Sequence, residues 1–369
     1  MKKYVVALLL AAGILTIFYL WYTPEVEKIE ETTEEKVVSQ EAELEDIEVV
    51  AENLRVPWEI VFLPDGGILI TERTGALRRV GEKEQAFSVE GVMPIGEGGL
   101  LGLALHPNFK ENRWVYLYFT ARDGDESLFV NRVVRYRLED NGLFEKTVII
   151  GGIPGASNHD GGRIAFGPDG YLYVATGDAQ LSSLAQDTSS LAGKILRVRD
   201  DGSIPEDNPL GNAVWSFGHR NPQGLAWDKD GQLWETEHGP TAQDEVNLIE
   251  KGANYGWPDS RGDKVAPGTK AAALHSGNLE TWAPSGMAYY QGSLFFGGLK
   301  GQTLYEAVLD GDKIVELKKH FQGEFGRIRA VALGSDNFLY ISTSNRDGRG
   351  SPGETDDKII RINTDSLRL

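Results

Sequence analysis

The 369-residue chain has no cysteine, which excludes a disulfide framework, thiolate metal ligands, an iron–sulfur cluster and a cysteine nucleophile. Basic residues are in deficit, 37 Lys+Arg against 55 Asp+Glu for a net charge of −18, so electrostatics oppose nucleic acid and anionic lipid headgroups as partners. Histidine is scarce as well, six in all. No HxH or HExxH spacing joins them, and nothing recommends a zinc site built from His159, His219 and His238.

Long apolar runs are missing with one exception, residues 4–22, interrupted only by Gly13 and Thr16 and preceded by Lys2 and Lys3. As a helix this run is about 29 Å long, close to a bilayer core. It ends in the aromatic cluster Phe18-Tyr-Leu-Trp-Tyr22 without a small-residue cleavage site. This favours a retained anchor over residues 1–23, with a cleaved signal peptide as the alternative; the basic pair stays cytoplasmic and the rest is exported. Residues 24–48 carry 11 acids against Lys28 and Lys36 and read as a solvated acidic linker. Residues 49–369 keep a charge of −11.

What is abundant is glycine, 44 residues, with 13 Tyr and 8 Trp, a composition of turns and aromatic strands. A turn followed by an apolar strand recurs at Asp65-Gly66, Asn108, Asp169-Gly170, Asp230-Gly231, Gln291-Gly292 and Asp336-Asn337, at spacings of 43, 61, 61, 61 and 45 residues. A second strand follows each one, as in Ala76-Leu-Arg-Arg-Val, Ile195-Leu-Arg-Val and Ile359-Ile-Arg-Ile. Six such units, each with room for two more strands, predict an all-β six-bladed β-propeller over residues 49–369. The segment Ile47 to Leu54 would supply the strand that closes the ring. Two β-sandwiches are the alternative, but they leave the single repeat unexplained.

A propeller gathers loops from every blade at one end of its channel, so the candidates are loop residues. In Ser157-Asn-His-Asp-Gly-Gly-Arg163, His159 could act as a general base or bond backbone between blades. In Gly218-His-Arg-Asn-Pro-Gln-Gly224, Arg220 could orient an anionic or carbonyl-bearing ligand through its planar fork of donors, with Asn221 beside it; an inter-blade salt bridge is the alternative. Glu237-His-Gly-Pro240 exposes main-chain carbonyls near Asp244 and Glu245, an oxygen-only set that suits Ca²⁺. The acidic turns at Asp123–Glu126 and Asp347–Asp357 read as solvated hairpin tips. Strand alternation puts Arg327 and Arg329 on one face, and with Lys300 they suggest a pocket for a multiply anionic small molecule, unless the pair lies exposed on an edge strand.

Eight segments stand in one order: Gly98-Gly-Leu-Leu-Gly-Leu-Ala-Leu-His-Pro107, His159-Asp-Gly-Gly-Arg163, Gly193-Lys-Ile-Leu-Arg197, His219-Arg-Asn-Pro-Gln-Gly224, Glu237-His-Gly-Pro240, Asp244-Glu-Val-Asn-Leu-Ile249, Asn254-Tyr-Gly-Trp-Pro258 and Gly326-Arg-Ile-Arg329. Over about Val49 to Leu369 the chain resembles the soluble quinoprotein glucose/sorbosone dehydrogenases, which include pyrroloquinoline quinone (PQQ)-dependent aldose sugar dehydrogenases. The resemblance implies a six-bladed propeller with PQQ over the channel mouth. It also implies oxidation of an aldose at C1 to a lactone, with hydride passing to the quinone and electrons to an external acceptor. His159 matches the base and Arg220 the arginine beside the quinone carbonyl. Cofactor contacts would come from Glu97, Asn158, His159, Arg220, Asn221, Lys300, Arg327 and Arg329. Gly239 and Pro240 match the carbonyls that bind the cofactor's Ca²⁺; Glu245 and Tyr255 match a structural calcium of some members. Glu97 departs from the family's usual Gln, so beside an anionic cofactor its carboxylate must be protonated, paired or turned away. The region Arg261 to Trp282 carries few recognisable features and would shape substrate access. A calcium-dependent lactonase-type hydrolase and a non-catalytic sugar-binding propeller are the alternatives.

Overall fold

The computed structural model describes residues 46–124 and 128–368. The predicted anchor lies outside them, as does the acidic linker up to residue 45.

Six four-stranded antiparallel sheets form the blades. Blade 1 is β2–β5 (Pro57–Phe62, Ile68–Glu72, Ala76–Val80, Gln85–Ser88) and blade 2 is β6–β9 (Leu100–Leu105, Trp114–Arg122, Phe129–Glu139, Gly142–Pro154). Blade 3 is β10–β13 (Ile164–Phe166, Leu172–Thr176, Lys194–Val198, Val214–Phe217) and blade 4 is β14–β17 (Pro222–Trp227, Leu233–Glu237, Glu245–Ile249, Leu274–His275). Blade 5 is β18–β21 (Pro284–Tyr290, Ser293–Gly298, Thr303–Asp310, Lys313–His320). Blade 6 takes β22–β24 (Ile328–Leu333, Leu339–Thr343, Ile359–Ile362) from the C-terminus and β1 (Ile47–Ala51) from the N-terminal side. Ile47 pairs with Ile362 and Val49 with Ile360, so the predicted closing strand joins the two ends of the propeller.

The repeated strand pair is the second and third strand of each blade. β3, β11, β15 and β23 are buried at every position, because both faces of a blade pack on neighbours and leave no solvated side to alternate with. Apolar clusters fill all six inter-blade gaps, for example Leu69, Leu77, Leu117 and Val134 between blades 1 and 2, and Leu304, Ile341 and Ile360 between blades 5 and 6. The hairpin turns of the repeat need a left-handed residue: Gly66, Gly170 and Gly231 sit at φ 85°, 78° and 78°, and Asn337 takes the same role at φ 64°. In blade 2 the turn is replaced by a single helical turn, Phe109–Asn112.

The first strands of all six blades line the axis; at one end their side chains, Val61, Leu105, Phe166, Trp227, Tyr289 and Leu333 among them, surround an apolar opening of about 410 Å³. Each strand runs antiparallel to the next, so the links between blades and the links between second and third strands all emerge at the other end. That end receives Glu97, His159, Arg220 and Arg327, which immediately precede first strands, and Gly239, Lys300 and Arg349, which follow second strands. The reading of Asp347–Asp357 as a solvated tip is corrected here. The Asp347 side chain is 2% exposed between two arginines. Asp357 is fully buried, accepting from the amides of Val56, Asn345 and Arg346.

Candidate active site

His159 lies in the link between blades 2 and 3 and adopts φ 63°, a conformation unusual for a non-glycine residue and concentrated at functional sites. Gly177, at the end of β11, permits this placement, because a Cβ there would overlap the His159 carbonyl. The ring Nδ1 lies 2.7 Å from Asp178 Oδ1, with the histidine side chain 19% and the aspartate 2% exposed. A buried carboxylate at Nδ1 fixes the tautomer with the proton on that nitrogen and leaves Nε2 as the base. The Gln180 amide donates to Asp178 Oδ1, and the Trp257 indole N–H donates to Oδ2 at 2.8 Å.

Arg220 and Asn221 sit directly before β14. The Arg220 amide donates to Glu237 Oε2 at 2.6 Å and one guanidinium nitrogen donates to the His238 carbonyl, while the guanidinium carbon lies 5.3 Å from the centre of the Trp257 ring. No carboxylate among the described residues pairs with this guanidinium, so the inter-blade salt bridge considered for it is not present. Burial lowers its pKa against the pull of Asp178 and Glu237. Its Nε and the Asn221 Nδ2 are buried donors without acceptors among the described residues. Buried donors normally find partners, and two adjacent orphans suit a ligand that brings acceptor oxygens.

Beside them lies a cavity of about 350 Å³ whose lining includes Lys300, Arg327, Arg329, Arg349 and a single carboxylate, Glu97. The size is within the range of small-molecule sites. Arg327 and Arg329 do face the same way, and Asp347 stands between them, 2.8 Å and 3.8 Å from their guanidinium nitrogens. Two carboxylates, Glu97 and Asp347, do not neutralise four cations. Burial, then Arg73 and Arg327, push Arg329 down to about 9 despite Asp347, the direction that desolvation and neighbouring cations impose on a guanidinium. Lys300 is exposed and has no ion pair among the described residues. The lining is cationic, not the carboxylate-and-amide cage that the hydrolase alternative requires.

Glu97 is paired. Arg349 Nη1 reaches its Oε1 at 2.5 Å, the His159 amide donates to Oε2, and Arg349 Nη2 donates to Asn158 Oδ1. Burial would raise the carboxyl, but His238, Arg349 and the His159 amide together hold it at about 2. Arg349 comes from the β23–β24 link, 252 positions from its partner, and no local pattern marked it. Asp178 and Trp257 are likewise unmarked by any local pattern, although Trp257 stands in the Asn254-Tyr-Gly-Trp-Pro258 segment.

The Gly239-Pro240 turn lines a void of about 10 Å³ together with Glu237, Glu245 and Tyr255, room for one water or ion. Asp244 is not a free ligand there. Its Oδ1 accepts from the Gly239 amide and its Oδ2 from the amides of Trp282 and Ala283, so it braces the turn. The Tyr255 hydroxyl is spent on the Leu248 carbonyl and the Glu250 amide, leaving only its own carbonyl to offer. Burial, then Glu237, raise Glu245 to about 8. His159 and His238 do not join His219, whose ligand atoms instead gather with those of Glu235 and Glu237.

The profile of the glucose/sorbosone dehydrogenases matches residues 54–361. The chain belongs to this family. The aldose sugar dehydrogenase YliI of Escherichia coli K12 is 35% identical over 82% of this chain and 91% of its own length. Quinoprotein glucose dehydrogenase B of Acinetobacter calcoaceticus is 36% identical over 59% of this chain and 53% of its own. The PQQ-bound aldose sugar dehydrogenase of Streptomyces coelicolor superposes with a TM-score of 0.79 at 38% identity, covering 85% of this chain and 97% of its own.

Proposed function

We propose that this family member is a PQQ- and Ca²⁺-dependent aldose dehydrogenase that oxidises the C1 hydroxyl of a sugar to a lactone. The observation that carries the reading is the cationic cavity, Lys300, Arg327, Arg329 and Arg349 against Glu97, joined through Glu97 to the amide of a histidine oriented by a buried aspartate. PQQ is a flat tricarboxylate and fits that excess of charge; when bound, it supplies the two-electron acceptor. Lys300, Arg327 and Arg329 would hold its carboxylates, and the orphaned donors of Arg220 and Asn221 would meet its oxygens. His159 Nε2 takes the proton of the C1 hydroxyl, and Asp178 stabilises the imidazolium that results. Arg220 stabilises negative charge that develops next to it. The Gly239 and Pro240 carbonyls would hold the cofactor's Ca²⁺; the void they share with Glu245 and Tyr255 has room for one ion, so a second, structural calcium is not proposed there. Electrons would leave to an external acceptor, and the apolar run of residues 4–22 supports a location outside the cytoplasm, on a membrane or secreted.

Apo-protein loaded with PQQ and Ca²⁺ is expected to reduce a dye only when an aldose is added, and chelation is expected to abolish this. A His159→Ala variant is expected to bind PQQ normally and lose about 10²–10⁴ in turnover. Dye reduction that ignores the sugar, or a variant as active as the parent, would remove the proposal.

A further inference from the structure

We infer that Trp257 is a positioning residue that couples the two halves of the catalytic apparatus, the His159–Asp178 pair and Arg220. The inference rests on the dehydrogenase reading above. Trp257 lies in the long link between β16 and β17, which returns towards the cavity end, where His275 pairs with Glu245. Three bonds pin it: its amide donates to the Gly218 carbonyl, its carbonyl accepts from Gln186 Nε2 at 2.7 Å, and its indole N–H donates to Asp178 Oδ2 at 2.8 Å. Gln186 in turn exchanges two hydrogen bonds with Asn254, three residues earlier in the link. The ring therefore cannot drift without breaking bonds to both blade 3 and the link itself.

From this fixed position the side chain acts in two directions. Its indole edge draws charge from the carboxylate that orients His159, and its face lies 5.3 Å from the Arg220 guanidinium carbon, within cation–π reach. Among the described residues Asp178 has no other side-chain donor apart from His159, since its remaining partner is the Gln180 amide. Loss of the indole N–H leaves more negative charge facing Nδ1, which stabilises the imidazolium and makes His159 a base only at higher pH. The other charged groups set round His159 are Glu97 with its partner Arg349, Asp160 next in the chain, and Arg220 beyond Asp178. A change at Trp257 leaves all of them in place.

Trp257→Phe keeps a ring beneath Arg220 and deletes only the donor. In the PQQ- and Ca²⁺-loaded enzyme, the acid limb of kcat/KM is expected to move up by about half a pH unit, and kcat on that limb to fall about threefold. PQQ affinity, read by absorbance, should stay within twofold. In an Asp178→Asn background, where the acceptor charge is already gone, the same substitution should change kcat by less than twofold. Trp257→Leu, which also strips the ring from Arg220, should fall further than Trp257→Phe. An unshifted limb together with full kcat in Trp257→Phe would overturn the inference and leave Trp257 as packing. Should that variant fail to fold, the wild-type protein decides the question. One of the eight indole N–H resonances must follow the His159 titration, and no response from any would overturn the inference. Wild-type holoenzyme without aldose-dependent turnover would overturn the dehydrogenase reading instead.

Discussion

Substituting Asp178 by Asn tests whether His159 works as an oriented base. The carboxylate receives His159 Nδ1 and the Gln180 amide on one oxygen and the Trp257 indole on the other, so three donors meet two acceptor atoms. An amide of the same shape has one acceptor and one donor end. Turned with its NH₂ towards His159, it forces the proton onto Nε2 and abolishes the base. Turned the other way, it sets NH₂ against the indole N–H and buries an unsatisfied donor at about 1–3 kcal/mol. Either arrangement also withdraws the negative charge that stabilises the imidazolium. In the Ser-His-Asp systems the same exchange costs about 10⁴ in turnover, and a loss of about 10³–10⁴ is expected here. Asp178 does not line the cationic cavity, so PQQ affinity should be unchanged. The assay is dye reduction at saturating aldose over a pH series, alongside an absorbance titration with the cofactor. Turnover within tenfold of the parent at neutral pH would refute the role given to Asp178.

Other perturbations test the surroundings. Arg349→Gln frees Glu97, whose depressed pKa contributes stability above its unfolded value and loses it as pH falls towards about 2; acid denaturation should therefore shift to higher pH, by about 1 kcal/mol or less in stability because the arginine is half exposed. Glu235 is fully buried, its carboxyl is held well above the usual range by burial and then by Glu237, and its Oε1 has no partner. Such a group costs stability as pH rises from its unfolded towards its folded value. Glu235→Gln should consequently leave Tm unchanged in acid and raise it at neutral pH and above; a lower Tm at high pH would contradict this. Removing residues up to Ala51 deletes β1 and bares the edge of β24, so Tm should drop by several degrees, and an unchanged Tm would show that the ring closes without it.

The fold was largely legible because the propeller repeats its own geometry. Asp-Gly turns at fixed places in the blade announce the hairpins, and the residues after them are apolar on both faces because each blade is sandwiched. Even the closing strand could be read, since Ile47 to Leu54, with Val49 and Val50, is a strand-like stretch left outside the six repeats. The site was legible only where chemistry and motif coincide in one stretch. His159, Arg220 and the Arg327–Arg329 pair lie at blade junctions next to recognisable strands. Asp178 follows an ordinary β-strand, and Arg349 sits in an acidic turn that reads as a solvated tip. Arg349 owes its role to ring closure, which lets a link of blade 6 reach Glu97 and Asn158 across more than half the sequence, and Asp178 owes its role to loops that set it between His159 and Trp257. No periodicity encodes such a meeting. Asp347 escapes notice for a nearer reason: an acid in the β23–β24 link becomes a buried counter-ion because Arg327 and Arg329, at the start of the inner strand of the same blade, converge on it.

An absorbance titration of the metal-loaded apo-protein with PQQ, repeated on Lys300→Gln, Arg329→Gln and the double variant, addresses the cationic cavity itself. The expected result is saturable binding of one cofactor per chain, weakened about 10–100-fold by each substitution and by more in the double variant. Binding that is non-saturable in the parent, or equally tight in all four proteins, would contradict the assignment of that cavity to the quinone.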